Sequence, residues 1–155
     1  MKDSGTFQIT APGEREIVMT RVFDAPRRLV FDALTQPALI QRWLLGPDGW
    51  TMPVCEVDLR VGGAYRCVWR RDADGTEMGM GGVYREVVPN RRLVFTWNLQ
   101  DGTAETESVV TVILTPVAGG TELDFTLDPV FDPRAADGWR GAFKRLGEFF
   151  QGEKP

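Results

Sequence analysis

The sequence contains no histidine, and its only serines are Ser4 and Ser108. A Ser-His-Asp or Cys-His catalytic system cannot be built from such a set, nor can a histidine-bearing zinc site. Cys55 and Cys67 are the only cysteines, too few for a four-thiolate site. With no secretory leader they suit free thiols in the cytoplasm, and neither a disulfide nor a metal is expected. No apolar run approaches the roughly 20 residues that a membrane helix needs, so membrane insertion is not expected. Excess positive charge is missing too. Against 22 Asp and Glu stand 18 Lys and Arg, a net −4, whereas a nucleic-acid partner calls for clustered positive charge.

What remains is ordinary for a globular chain of 155 residues, 43% hydrophobic and 26% charged. At that size folding buries roughly 68–70% of the unfolded surface, enough for one core. Residues 1–13, with Gly5, Pro12 and Gly13, read as a flexible leader; residues 14–151 read as one domain and 152–155 as a tail.

Glu14–Asp24 alternates and is rich in β-branched residues, which predicts a strand. Asp24-Ala25-Pro26 ends it, with Asp24 as helix N-cap and Pro26 near the first helical position. Leu29, Val30, Ala33 and Leu34 then carry a helical period until Pro37. A second short helix holds Leu39, Ile40, Trp43 and Leu44, and Gly46-Pro47-Asp48-Gly49 closes it. Beyond Trp50 the pattern predicts strands at 52–59, 64–71, 77–88, 92–99, 107–115 and 121–127. Turn-forming clusters such as Val61-Gly62-Gly63, Pro89-Asn90, Gln100-Asp101-Gly102 and Ala118-Gly119-Gly120 join them. Connections this short make the sheet antiparallel. Asp132-Pro133 opens a last helix to about Gln151, with Trp139, Phe143, Leu146, Phe149 and Phe150 on one broad apolar face. Seven strands with one face to bury and one long helix to cover it predict an α+β helix-grip fold. In such a fold the curved sheet grips the helix along part of its length and leaves a concave space beside the rest.

Residues in series carry a resemblance. Arg21-x-Phe23-x-Ala25-Pro26, Val30-Phe31, Leu34-Thr35-x-Pro37 and Trp43 open it. Asp58-Leu59-Arg60-Val61-Gly62-Gly63 and the run from Gly82 through Tyr84, Glu86-Val87-Val88-Pro89 and Arg91 to Leu93-Val94-Phe95-Thr96-Trp97 continue it. Gly119-Gly120-Thr121 and Gly138-Trp139 complete it. Over about residues 14–151 the chain resembles the activator-of-heat-shock-protein-ninety ATPase homologues. These belong to the superfamily of START, birch-pollen-allergen and polyketide-cyclase domains. The resemblance implies a helix-grip fold, a hydrophobic cavity and, commonly, binding of lipids or aromatic small molecules; it also brings a stress-response association. The eukaryotic activator engages its chaperone through an additional N-terminal domain, which has no counterpart in these residues, so ATPase activation is not expected. Where family members often show a histidine before the Gly-Trp pair, this chain has Pro133-Arg134-Ala135-Ala136-Asp137.

The candidate ligand-binding residues are Trp43, Trp69, Met80, Tyr84, Trp97, Trp139, Phe143 and Arg21. Indole and phenol rings offer flat apolar walls with one polar handle each. Any one of them reads first as core packing; as a set around one predicted space they point to a pocket. Arg21 shares strand parity with Ile17, Met19 and Phe23, so an inward guanidinium would hold either an acidic ligand group or an internal carboxylate. Asp58 and Arg60 flank a Gly-Gly turn and read as fixing its geometry. Asp72-Ala73-Asp74-Gly75 fails the spacing of a calcium loop and reads as a hairpin turn. Glycine at 79, 81 and 82 reads as permitting a bulge or a close approach of the cavity contents. Along the last helix, Leu146, Phe149 and Phe150 are expected as solid core, Trp139 and Phe143 as cavity border, and Gly138 as a site of close backbone packing.

The function expected is non-catalytic binding of an apolar or aromatic small molecule, with no catalytic residue, cofactor or metal assigned. The alternatives are a cyclase- or hydratase-like enzyme drawing on Tyr84, Arg21 or Glu86, and a co-chaperone type of interaction module in contact with a chaperone. Homodimer formation stays open.

Overall fold

Alternation of apolar and polar residues builds the sheet. Along β8 (Gly120–Asp128) Thr121, Leu123, Phe125 and Leu127 are buried and the residues between them less so. Ser108, Val110, Val112 and Leu114 repeat that pattern on β7 (Ser108–Val117). This period of two is what a sheet with one covered face requires. The computed structural model describes residues 6–9, 16–45, 49–99, 107–130 and 135–153. Its other strands are β1 (Thr6–Ile9), β2 (Ile17–Phe23), β3 (Trp50–Val57), β4 (Ala64–Arg71), β5 (Glu77–Val88) and β6 (Arg92–Leu99). They form one antiparallel sheet in the order β1-β2-β8-β7-β6-β5-β4-β3. Seven of these are the strands expected from the sequence. The eighth, β1, lies in the stretch read as a leader and pairs along β2, Phe7 opposite Met19 and Ile9 opposite Ile17. The Gln100-Asp101-Gly102 turn, the Asp132-Pro133 helix start and positions 46–48 lie outside the described residues.

Two short helices follow β2: α1 (Arg27–Thr35) and α2 (Pro37–Trp43). The expected N-cap at Asp24 is corrected. Pro26 occupies the cap, with φ −70° and ψ 157° and no side-chain bond closing it. Its fixed φ leads the chain into α1, while Ala25 stays tied back to Phe23 O at 2.9 Å. The Trp43 indole donates to Ala33 O at 2.7 Å, locking α2 onto α1. Among the described residues no helix is long and apolar enough to cross a membrane.

The sheet curls because it is interrupted. Its register shifts between Thr51 and Val54 on edge strand β3, where Pro53 has no N–H to donate, and between Tyr84 and Glu86 on β5. At Gly82 the neighbouring strand comes close: a Cβ there would lie 2.1 Å from Thr96 O. What approaches Gly82 is thus the backbone of β6 and not the contents of a cavity. Thr96 O also accepts the buried Tyr65 hydroxyl, and Thr96 Oγ1 accepts the Val83 N–H at 2.8 Å. The β3–β4 turn is fixed by Arg60 Nε on the Asp58 carboxylate at 2.9 Å, and the β4–β5 turn by Asp74 between Arg71 and Thr76.

The final helix, α3 (Ala135–Glu153), lies against the concave face through Trp139, Ala142, Phe143, Leu146 and Phe150, all buried at helical spacing. Two expectations for it are corrected. Phe149 is only half-buried and carries the Arg42 guanidinium 4.9 Å from its ring centroid, because helical rotation sets it on the flank next to Phe150. At the exposed Gly138 a Cβ would meet nothing within 4 Å, so no neighbouring backbone requires glycine there.

Two pairs of variants read these contacts in urea melts. Phe143→Ala should lose about 3–5 kcal/mol and Phe149→Ala about 1 kcal/mol or less; equal losses would contradict the described packing. Gly82→Ala should cost roughly 1–3 kcal/mol as Thr96 is pushed away, whereas Gly138→Ala should add about 0.5–1 kcal/mol. A neutral Gly82→Ala would rule out the close approach of β6.

Candidate functional site

The curl and α3 do not close completely on each other. Between them, under α1 and α2, is a cavity of about 50 Å³. Its walls are almost wholly apolar, and rings dominate them. Tyr65, Tyr84, Phe95 and Trp97 come from β4, β5 and β6; Phe125 comes from β8; Trp139 and Phe143 come from α3; Trp43 comes from α2. They form one connected set. Tyr65 meets Phe95 edge-on at 5.4 Å between centroids, and Trp97 meets Trp139 at 5.0 Å. Trp139 lies 4.7 Å from Phe125, and Phe143 stacks on Trp43 at 6.1 Å. Leu34, Ile40, Leu44, Val57, Leu93 and Val112 fill the gaps between rings.

Of the eight residues singled out from the sequence, Trp43, Tyr84, Trp97, Trp139 and Phe143 line this space. Trp69 stands behind the wall, 6.2 Å edge-on to Trp97, and donates its indole N–H to Leu44 O at 2.8 Å, tying β4 to the end of α2. Met80 is half-buried opposite Cys67 in the β4–β5 ladder and packs on the core. Arg21 faces Leu123 across the β2–β8 ladder, half-buried, with its guanidinium 5.9 Å from the Phe23 centroid. The sequence reading missed Tyr65, Cys67, Phe95 and Phe125 as lining residues. Strand parity was the available signal: Tyr65 and Cys67 share it with Trp69, and Phe95 shares it with Trp97.

The polar handles divide into two kinds. Those of Trp43, Trp69 and Tyr65 are spent on backbone carbonyls. The Tyr84 hydroxyl and the Trp97 indole N–H make no hydrogen bond among the described residues, though both side chains line the cavity. Burial pushes both phenols above the ordinary tyrosine range, Tyr65 well above it, with smaller additions from Cys67 and other neighbouring groups. Each therefore stays a neutral donor at physiological pH. Cys67 on the wall lies directly opposite Cys55 of β3, sulfur to sulfur at 4.0 Å. The hydrogen bond to Cys55, followed by burial, holds the Cys67 thiol far above its usual range, while the same bond lowers Cys55. Among the described residues no three acidic or thiol side chains gather as a place for a metal ion. In chemical terms the site is an apolar slot with the side chains of Tyr84 and Trp97 in its wall.

The shape recurs in solved structures. A protein of Chromobacterium violaceum is 30% identical, with a TM-score of 0.78, over 87% of this chain and 96% of that one. One from Rhodobacter sphaeroides is 27% identical, with a TM-score of 0.81, over 96% and 99% of the two chains. The AHSA1-like protein of Aeromonas hydrophila, at 23% identity and a TM-score of 0.77 over 88% and 92%, shares the fold. No curated protein sequence matches the chain. A family model, that of Activator of Hsp90 ATPase homolog 1-like protein, matches residues 24–151, from the end of β2 through most of α3. The chain belongs to that family.

Proposed function

We propose that this protein binds a small apolar or aromatic molecule in the cavity and performs no chemistry on it. The observation that carries this reading is the pairing of an apolar, ring-lined wall with two donors unclaimed by the described residues, Tyr84 and Trp97. Such a wall buries a planar ligand by area, and one or two donors then fix its orientation. Trp43, Trp139 and Phe143 would contact the ligand directly, with Trp69, Met80 and Arg21 holding the scaffold behind them. Cytoplasmic residence accords with the two thiols.

Size sets a condition. At roughly 10–15 Å³ per water, 50 Å³ admits a few waters, so a ligand of ring size displaces side chains on entry. The roof formed by α2 is the economical place to yield. The hydrogen bond from Arg145 to Leu45 O, between α3 and the segment after α2, is long at 3.4 Å and therefore weak. A catalytic reading has less support, because burial makes Tyr84 a poorer acid than ordinary tyrosine.

Native mass spectrometry on protein purified from its own host, with titration of a naphthol-type probe, tests the proposal. A small molecule should co-purify or the probe should bind with a change in tryptophan emission. Val112→Phe, which fills the space, should abolish binding. Tyr84→Phe should weaken binding of a hydroxylated probe by about tenfold and leave its hydrocarbon analogue unaffected. Probe binding unchanged by Val112→Phe in a folded protein would place the ligand elsewhere and overturn the reading.

Protonation of the handles has its own test, since Tyr65 and Tyr84 are the only tyrosines in the chain. Their folded pKa values lie above the unfolded value near 10. Stability should thus be full below about pH 10 and fall as pH rises beyond it, because the unfolded chain then binds fewer protons. In an alkaline absorbance titration, phenolate should appear together with unfolding measured by circular dichroism. Phenolate appearing near pH 10 in still-folded protein would show that the two rings are not buried.

A further inference from the structure

The thiols play no part in the ligand-binding proposal, yet their placement is specific. Cys55 and Cys67 are registered partners on β3 and β4. In the same ladder Asp58 N donates to Ala64 O at 3.0 Å, which makes 58/64 a hydrogen-bonded pair. Alternation along the ladder then makes 55/67 a non-hydrogen-bonded one. Pairs of that kind hold their Cα atoms about 4.5 Å apart with side chains in contact, inside the roughly 4.4–6.8 Å that a disulfide spans. The sulfurs are already 4.0 Å apart. The two thiols are also unequal: Cys67 is buried in the cavity wall, while Cys55 is half-buried on β3 at the sheet's edge.

We propose that the Cys55–Cys67 pair is a site of oxidation by hydroperoxides, in which the Cys55 sulfur takes the oxygen and Cys67 closes a cross-strand disulfide. The Cys55 thiolate, stabilised by the thiol hydrogen bond from Cys67, attacks the terminal oxygen of the hydroperoxide. The O–O bond breaks, an S–O bond forms, and the departing alkoxide or hydroxide takes a proton from water. The Cys67 sulfur then attacks the Cys55 sulfenic acid. Its proton leaves with the hydroxyl as water, and the S–S bond forms. Two sulfurs lose two electrons in total and the hydroperoxide gains them. Strand pairing presents the resolving thiol at contact distance before the oxidant arrives, so the sulfenic acid is captured before further oxidation.

The test treats the full chain with hydrogen peroxide at neutral pH, in the same tube as an equal concentration of glutathione. Catalase stops the reaction, thiols are alkylated in denaturant, and intact masses are read. The expected product is a monomer that takes no alkylating reagent and is lighter by about 2 Da, restored by dithiothreitol and formed before the glutathione is consumed. Cys67→Ser should accumulate a dimedone-reactive sulfenic acid on Cys55, and Cys55→Ser should keep its Cys67 thiol at the same dose. The proposal is overturned if both wild-type thiols outlast the glutathione, if the disulfide joins two chains, or if Cys55→Ser loses its thiol as fast as wild type.

Discussion

One long helix has to satisfy the apolar face of a sheet much wider than itself. Strands spaced by about 4.8 Å would make eight of them about 34 Å across if flat, whereas a helix with its side chains is only about 10–12 Å wide. Curling the sheet around α3 removes the mismatch, and the seam runs through Trp139 and Phe143 against Trp97 and Phe125. Other features serve that seam. The shifts at Thr51–Val54 and Tyr84–Glu86 bend edge strand β3 and interior strand β5, and the missing side chain at Gly82 lets β6 close up on β5. Trp43 fastens the short helices where they cap the open side. Rings suit this seam because each buries a large area at a defined geometry.

Local information made most of this architecture legible. A period of two, turn clusters at regular spacing and an amphipathic final helix are statements about neighbours in sequence, and they place seven strands and three helices. What escaped depended on residues far along the chain. Gly82 answers to Thr96, and Phe149 answers to Arg42 across a helix–helix boundary. The pattern of Thr6–Ile9 is short, and it forms a strand because β2 offers an edge to pair with. At α1 the sequence offered two start signals. Asp24 has the better capping side chain, but proline's fixed φ and the short return from Ala25 to Phe23 set the boundary at Pro26.

The site was legible in direction but not in depth. Parity tells which face a side chain takes, and it placed Arg21, while helical period placed Trp43, Trp139 and Phe143; Trp69, Tyr84 and Trp97 were chosen as rings on elements around the predicted space. It does not tell how far along a strand the cavity extends. Trp69 therefore stands just past the end of α2, where its indole meets Leu44 O instead of the empty space. Tyr65 and Phe95, with the same parity and nearer the centre, fill the position expected of it. Depth depends on where the sheet bends, and bends are set by the bulges, whose exact positions are pairing facts and not composition facts.

That the void persists is itself informative. At about 24 cal/mol per Å³ of unfilled volume, a 50 Å³ cavity forgoes about 1 kcal/mol of stability, a modest amount beside the 5–15 kcal/mol typical of a domain. Substituting a longer aliphatic residue at Val112 or Val57 would recover part of it. Toward its other end α3 shows that this sequence can close a core: Leu146 and Phe150 are buried, with Phe23 of β2 edge-on to Phe150 at 5.5 Å. The contrast lies along one helix, so general looseness does not account for it. The proposed ligand would give such a space a use, whereas selection for stability alone would tend to fill it.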